Sequence, residues 1–178
     1  MSTKTRNLTL TALFSALATV SLYVASVWPT GQLGLTAVAS LFIAAAIIES
    51  GIKFGAYVYV VSSLISVLIV PNKITSFIFI LFFGCYPILK SLIEMNNRLI
   101  FQIITKLFVF NISLTVIWLL FNELVLSFIY FDINVVLKLV FIYVIGNVIF
   151  LLYDYGFTKL IWFYINRVSN ILKGTGNK

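Results

Sequence analysis

The sequence predicts an all-α polytopic membrane protein, a compact bundle of six transmembrane helices with both termini in the cytoplasm. Three observations carry this. From Leu8 to Phe157 the chain is almost continuously apolar, its charges recur at intervals of about one bilayer crossing, and nearly all the basic ones fall on alternate turns. With 178 residues, 62% of them hydrophobic and 10% charged, the chain lacks the charge to coat a water-soluble core, which ordinarily carries about 25% charged residues. In lipid no such coat is needed, because helices satisfy their backbone polar groups internally.

A helix needs about 20 residues to cross about 30 Å of hydrocarbon. The first span, 8–28, follows Lys4 and Arg6. A basic start before an apolar run also describes a signal peptide, but this run exceeds an h-region of about 7–15 residues, so a retained helix is expected. Trp28-Pro29-Thr30-Gly31 ends it, since proline forbids the helical bond and glycine tolerates a turn. The second to fourth spans, 33–48, 54–70 and 74–89, are separated by Glu49-Ser50-Gly51-Ile52-Lys53 and Pro71-Asn72-Lys73. Lys90 to Arg98 is the longest charged connection before the fifth span, 99–121. Asn122 to Asn134 carries Glu123 and Asp132 around an apolar middle, which reads as a short re-entrant or interfacial segment. The sixth span, 135–157, leads to a basic cytoplasmic tail, 166–178. The whole chain is expected to be one domain.

Orientation follows from the basic residues. With the N-terminus inside, Lys4, Arg6, Lys53, Lys90, Arg98, Lys106, Lys159, Arg167, Lys173 and Lys178 fall on the inner side, and Lys73 and Lys138 on the outer. Ten against two is the asymmetry of cytoplasmic loops. The net charge of +7 is therefore assigned to lipid headgroups and not to nucleic acid.

Polar residues inside lipid are costly, so their positions inform. Asn111, Thr115, Trp118 and Asn122 share one face of the fifth span, and Tyr143, Asn147, Asp154 and Thr158 one face of the sixth. Asn111 lies about 15 Å from the outer end of its span at 1.5 Å per residue, and Asn147 about as deep. The two either bond to each other, for about 0.6–2 kcal/mol, or share a ligand. Asp154 is expected in an ion pair close to the inner membrane surface, with Lys159 or Lys106. On the first span Thr11, Ala12, Ser15, Ala16 and Thr19 form a small-residue surface that lets another helix approach closely.

Catalytic residues are not recognised. There is no phosphate-binding Gly-rich loop, no His-Glu-x-x-His and no nucleophile elbow, and the five carboxylates are scattered along the chain. Histidine is absent and Cys85 is the one cysteine, so neither a His-ligated metal site nor an internal disulfide is available. No cofactor is implied, and the chain is not expected to be an enzyme.

Thr11-Ala12-Leu13-Phe14-Ser15-Ala16-Leu17, the small-residue second helix, the Gly51 to Gly55 turn and the serine-bearing third helix, within six helices in under 200 residues, resemble the substrate-binding S components of bacterial energy-coupling-factor vitamin transporters. The resemblance is local from Asn7 to about Val70 and topological beyond. It implies a plasma-membrane component that captures a small organic nutrient on the outer side, with a transmembrane coupling protein and ATPase subunits as partners. Ala12 and Ala16, with Ser15 and Thr19 beside them, would dock the coupling protein. Trp28 and Gln32 of the first loop, with Asn111, Thr115, Trp118, Asn122, Tyr143 and Asn147, would line the nutrient site. The Gly-Pro frequent between the second and third helices of that family is Ser50-Gly51 here. A second reading is a membrane scaffold without ligand, resembling the rod-shape-determining MreD proteins of cell-envelope synthesis.

Overall fold

The computed structural model describes residues 3–28, 30–96, 98–127 and 135–169; the side chains of 3, 122–127, 135–139 and 168–169 lie outside the description. The chain is helical, with no strand among the described residues. In order it forms α1 (Thr3–Val27), α2 (Gln32–Ser50), α3 (Ile52–Ile69), α4 (Lys73–Ile78), a π-helical turn (Phe79–Phe83), α5 (Tyr86–Ile93), α6 (Leu99–Ser127), α7 (Val135–Phe163) and a second π-helix (Tyr164–Ser169). Six helical stretches are long and apolar enough to cross a membrane. The described residues pack as two units, one holding those up to Leu92 with those from Phe157 onward, the other holding 93–156.

In the first unit α1, α2 and α3 pack on one another, and α4 with its π turn packs against α2 and α3. Helical periodicity decides the inward face of α1: Thr11, Phe14, Ser15, Ala18, Leu22 and Ala25 are buried, whereas Leu13, Leu17, Val20 and Val24 are exposed as lipid requires. Small residues fill the opposing faces, Ala39, Ser40, Ala44 and Ala46 on α2 and Val58, Ser62 and Ser66 on α3. Their hydroxyls are satisfied within their own helices: Ser15 Oγ donates to the Thr11 carbonyl at 2.8 Å, Thr36 Oγ1 to Gln32 at 2.7 Å and Ser62 Oγ to Val58 at 2.7 Å. A serine that back-bonds in this way packs like a small apolar residue and lets helices approach.

The turn between α2 and α3 is a single residue. Gly51 adopts φ 93°, ψ 168°, a conformation open to glycine alone at low cost. Its N–H closes α2 on the Ile47 carbonyl at 2.9 Å, and its own carbonyl accepts from Phe54 at 3.1 Å. At the next turn Asn72 caps α4 by accepting from Ile74 N–H at 3.0 Å, while Lys73 Nζ reaches the last carbonyls of α3, Val67 at 2.7 Å and Val70 at 3.0 Å.

The fourth span departs from the continuous helix expected over 74–89. Within one membrane-length stretch, Lys73–Ile93, a π-helical turn at Phe79–Phe83 interrupts the α-helix, which resumes at Tyr86. Pro87 explains the break: its ring has no N–H and would collide with the carbonyl of Phe83 in a continuous helix, but it fits the first turn of a new one. The π turn ends with Gly84 N–H on the Phe79 carbonyl at 2.6 Å, and Tyr59 Oη of α3 donates to the Ile80 carbonyl at 3.0 Å. Every bond there serves backbone polarity that lipid would leave unsatisfied.

Three other boundaries differ from expectation. Lys90 lies inside α5, buried, and not in a charged connection. Helix α6 continues six residues past Phe121, which is non-helical at φ −130°, ψ 29°, into the segment expected to be re-entrant; the remainder, 128–134, is outside the described residues. Helix α7 runs past Phe157 to Phe163 and into the second π-helix, so the expected tail begins as helix at Asn166; 170–178 are outside the described residues. The run Leu160 to Ile165 is apolar and aromatic, the composition of a membrane interface.

Candidate functional site

In the second unit α6 and α7 present their polar faces to each other. Asn111 Nδ2 donates to Asn147 Oδ1 at 3.0 Å, and Asn147 Nδ2 returns a bond to Asn111 Oδ1 at 3.2 Å. The second hydrogen of each amide goes to its own helix, Asn111 to the Leu107 carbonyl at 2.7 Å and Asn147 to Tyr143 at 2.8 Å. One turn further, Thr115 Oγ1 and the Tyr143 hydroxyl lie 2.7 Å apart. Phe110 and Phe150, one residue before Asn111 and three after Asn147, stack with centroids 4.6 Å apart. The result is a polar ladder of two rungs in which all four amide hydrogens are used.

A charged rung lies further along the same pair of helices. Lys106 Nζ, on α6, sits 2.7 Å from Glu94 Oε1 and 3.1 Å from Asp154 Oδ2 of α7. The lysine side chain is 8% exposed, Asp154 21% and Glu94 38%, so the cation is sheltered and its carboxylates face outward. Lys106 is thus a partner of Asp154, and it is shared with Glu94. Two of the five carboxylates that look scattered in the sequence, Glu94 and Asp154, meet here at Lys106. In the first unit Lys90 Nζ bonds Thr158 Oγ1 at 2.9 Å, which uses the last polar residue of the α7 stripe. Neither Lys90 nor Glu94 stands out by spacing alone; the one signal for Lys90 is its position three residues after Pro87, inside a helix that proline starts.

The remaining expected site residues divide between the units. Trp28 is exposed at the end of α1, and the Gln32 amide donates to Thr75 Oγ1, which ties α2 to α4. Trp118 is half-buried on α6. Asn122 belongs to α6, but its side chain is outside the described residues. The small-residue surface of α1 separates into two stripes: Thr11 and Ser15 are buried in the first unit, Thr19 is half-buried, and Ala12 and Ala16 are exposed. The reason is the helical angle of about 100° per residue, which turns positions 12 and 16 away from the face that holds 11, 15 and 18.

Chemically, the ladder offers amide and hydroxyl hydrogen bonding between apolar walls. The Lys106 group offers one ammonium shared by two carboxylates. The chain matches no protein-family model, no curated protein and no solved structure.

Proposed function

We propose that this chain is the membrane-embedded binding subunit of a nutrient-uptake system, similar to the S components of energy-coupling-factor transporters. It would reside in a bacterial plasma membrane with both termini in the cytoplasm, capture a small organic molecule from outside and hand it to a separate coupling protein with its ATPases. The observation that carries this reading is the exposed pair Ala12 and Ala16 on α1, beside a stripe that is fully packed. Methyl-sized side chains one turn apart let a partner helix come close in lipid, where packing drives association.

The ladder supplies the binding chemistry. To enter between Asn111 and Asn147, a ligand must replace their reciprocal amide pair. It therefore has to present an adjacent donor and acceptor, as a lactam, ureide or carboxamide edge does, while its rings lie against Phe110 and Phe150. Turnover would be a two-state change of access in which the closed ladder is the ligand-free state.

Native mass spectrometry of the chain extracted from its own membrane tests the reading. Wild type should carry a membrane subunit and ATPases, and A12W/A16W should lose them while still purifying. Retention of the same partners by the double variant, or their absence from wild type, counts against it. The saturated amide pair favours the second reading, a ligand-free scaffold, because such a pair stabilises helix packing without any guest; co-purifying envelope-synthesis proteins would decide for that.

A further inference from the structure

The two units divide the charge unevenly. Residues 1–92 and 157–178 hold nine basic residues and one acid, Glu49, whereas 93–156 hold three basic residues and four acids. In the first unit part of this excess is organised where α1 begins, α2 ends and α3 begins. Ser50 Oγ donates to Asn7 Oδ1 at 3.4 Å, and Arg6 Nη2 lies 3.5 Å from Glu49 Oε2. Gly51 turns the chain within a single residue, so Lys53, three residues after Ser50, stands in the first turn of α3 at the same end.

The Glu49 side chain is fully buried and the Arg6 side chain 49% exposed. The acid therefore holds the arginine by one nitrogen and leaves the rest of its planar fork, which matches phosphate oxygens, open to a ligand. Lys4 and Lys53 are exposed. Each has an exposed apolar side chain four residues on, Leu8 at 66% and Tyr57 at 57%. Positions i and i+4 share a helix face about one turn, or about 5.4 Å, apart. On both helices a cation thus stands over a lipid-facing hydrophobe.

We propose that this corner binds an anionic phospholipid, its phosphate held by Arg6 with Lys4 and Lys53 and its acyl region against the side chains one turn deeper. Three cations against one carboxylate leave a positive excess that an anionic diester offsets and a zwitterionic headgroup does not. The order along each helix, cation first and hydrophobe beneath it, is that of a headgroup over its chains. An acidic protein would need the charges but not the hydrophobes. The site holds for a transport component and for a scaffold alike.

The test is thermal unfolding of the purified full-length chain in mixed micelles, with phosphatidylglycerol exchanged for phosphatidylcholine at fixed pH and ionic strength. Phosphatidylglycerol at about ten times its dissociation constant should raise the melting temperature by about 3–6 °C over phosphatidylcholine. K4Q/K53Q should require at least about tenfold more phosphatidylglycerol for that rise. R6K, which keeps the charge but loses the fork, should require at least about threefold more. R98Q/K159Q removes the same charge outside the corner and should titrate as wild type. If R6K does not fold, K4Q/K53Q against R98Q/K159Q decides alone. Equal melting of wild type in the two lipids overturns the proposal, including the case in which an acidic protein covers the corner. An equal loss in K4Q/K53Q and R98Q/K159Q also overturns it, since net charge and not a site then draws the lipid. So does an equal rise with the water-soluble headgroup glycerophosphoglycerol, which would assign the corner to a free phosphate ester.

Discussion

An asparagine in lipid carries two donors and an acceptor that hydrocarbon cannot satisfy, and Asn111 and Asn147 resolve this for each other. Removing one leaves the other with an amide hydrogen and an oxygen unpaired, whereas removing both removes the problem together with the bond. N111A and N147A should therefore be strongly non-additive, with a coupling of about 1 kcal/mol in a double-mutant cycle of unfolding in mixed micelles. Additive losses would mean that the two amides do not bond. The Lys106 group permits a finer comparison. Its shorter contact is to Glu94, at 2.7 Å against 3.1 Å, but Asp154 is the more sheltered carboxylate. Shelter decides, because water screens the exposed partner. In the same unfolding assay D154N should cost on the order of 2 kcal/mol and E94Q under about 1 kcal/mol; the reverse order would show that contact distance governs this group.

At the scale of elements, periodicity and length found the helices, but not the interruption of the fourth. Its signal is present in Gly84 and Pro87, and a hydropathy reading passes over it because the break exposes no polar side chain. Gly84 is required by crowding: a methyl group there would lie 2.7 Å and 2.8 Å from the Tyr59 ring and 3.0 Å from the Phe79 carbonyl. The ring cannot swing aside freely, since its hydroxyl holds the Ile80 carbonyl. G84A should therefore destabilise by about 1–3 kcal/mol through overpacking. Gly146 is the contrast. A methyl there meets Phe110 at 3.5 Å, an ordinary contact, and alanine favours a helix over glycine by about 1 kcal/mol. G146A should be neutral or raise the melting temperature, so the two substitutions should shift it in different directions. A G84A protein as stable as wild type would show that the break tolerates a side chain.

For the whole molecule, the sequence reveals the class because lipid imposes one rule on every residue of a span, and 178 residues repeat that rule six times. Partners are less legible, since Glu94, Lys106 and Asp154 meet only after three elements have been placed, and spacing within one helix carries no information about a charge on another. The same limit bears on orientation. Lys90 and Lys106 count as inner charges when only the sequence is read, but both are buried within helices, in contact with Thr158 and with Glu94 and Asp154. Cations engaged in this way do not face headgroups and should carry no weight in topology. Removing them leaves Lys4, Arg6, Lys53, Arg98, Lys159, Arg167, Lys173 and Lys178 against Lys73 and Lys138, an asymmetry that still predicts both termini inside. A reporter that fluoresces only in the cytoplasm should therefore be bright at either terminus, and a phosphatase active only outside should be silent there and active when inserted after Pro71. K90Q/K106Q should leave that pattern unchanged, whereas K4E/R6E, at the entrance to the first span, should weaken it. A phosphatase active at the C-terminus would require an odd number of crossings or an inverted chain, and either would count against the proposed docking of a coupling protein to α1.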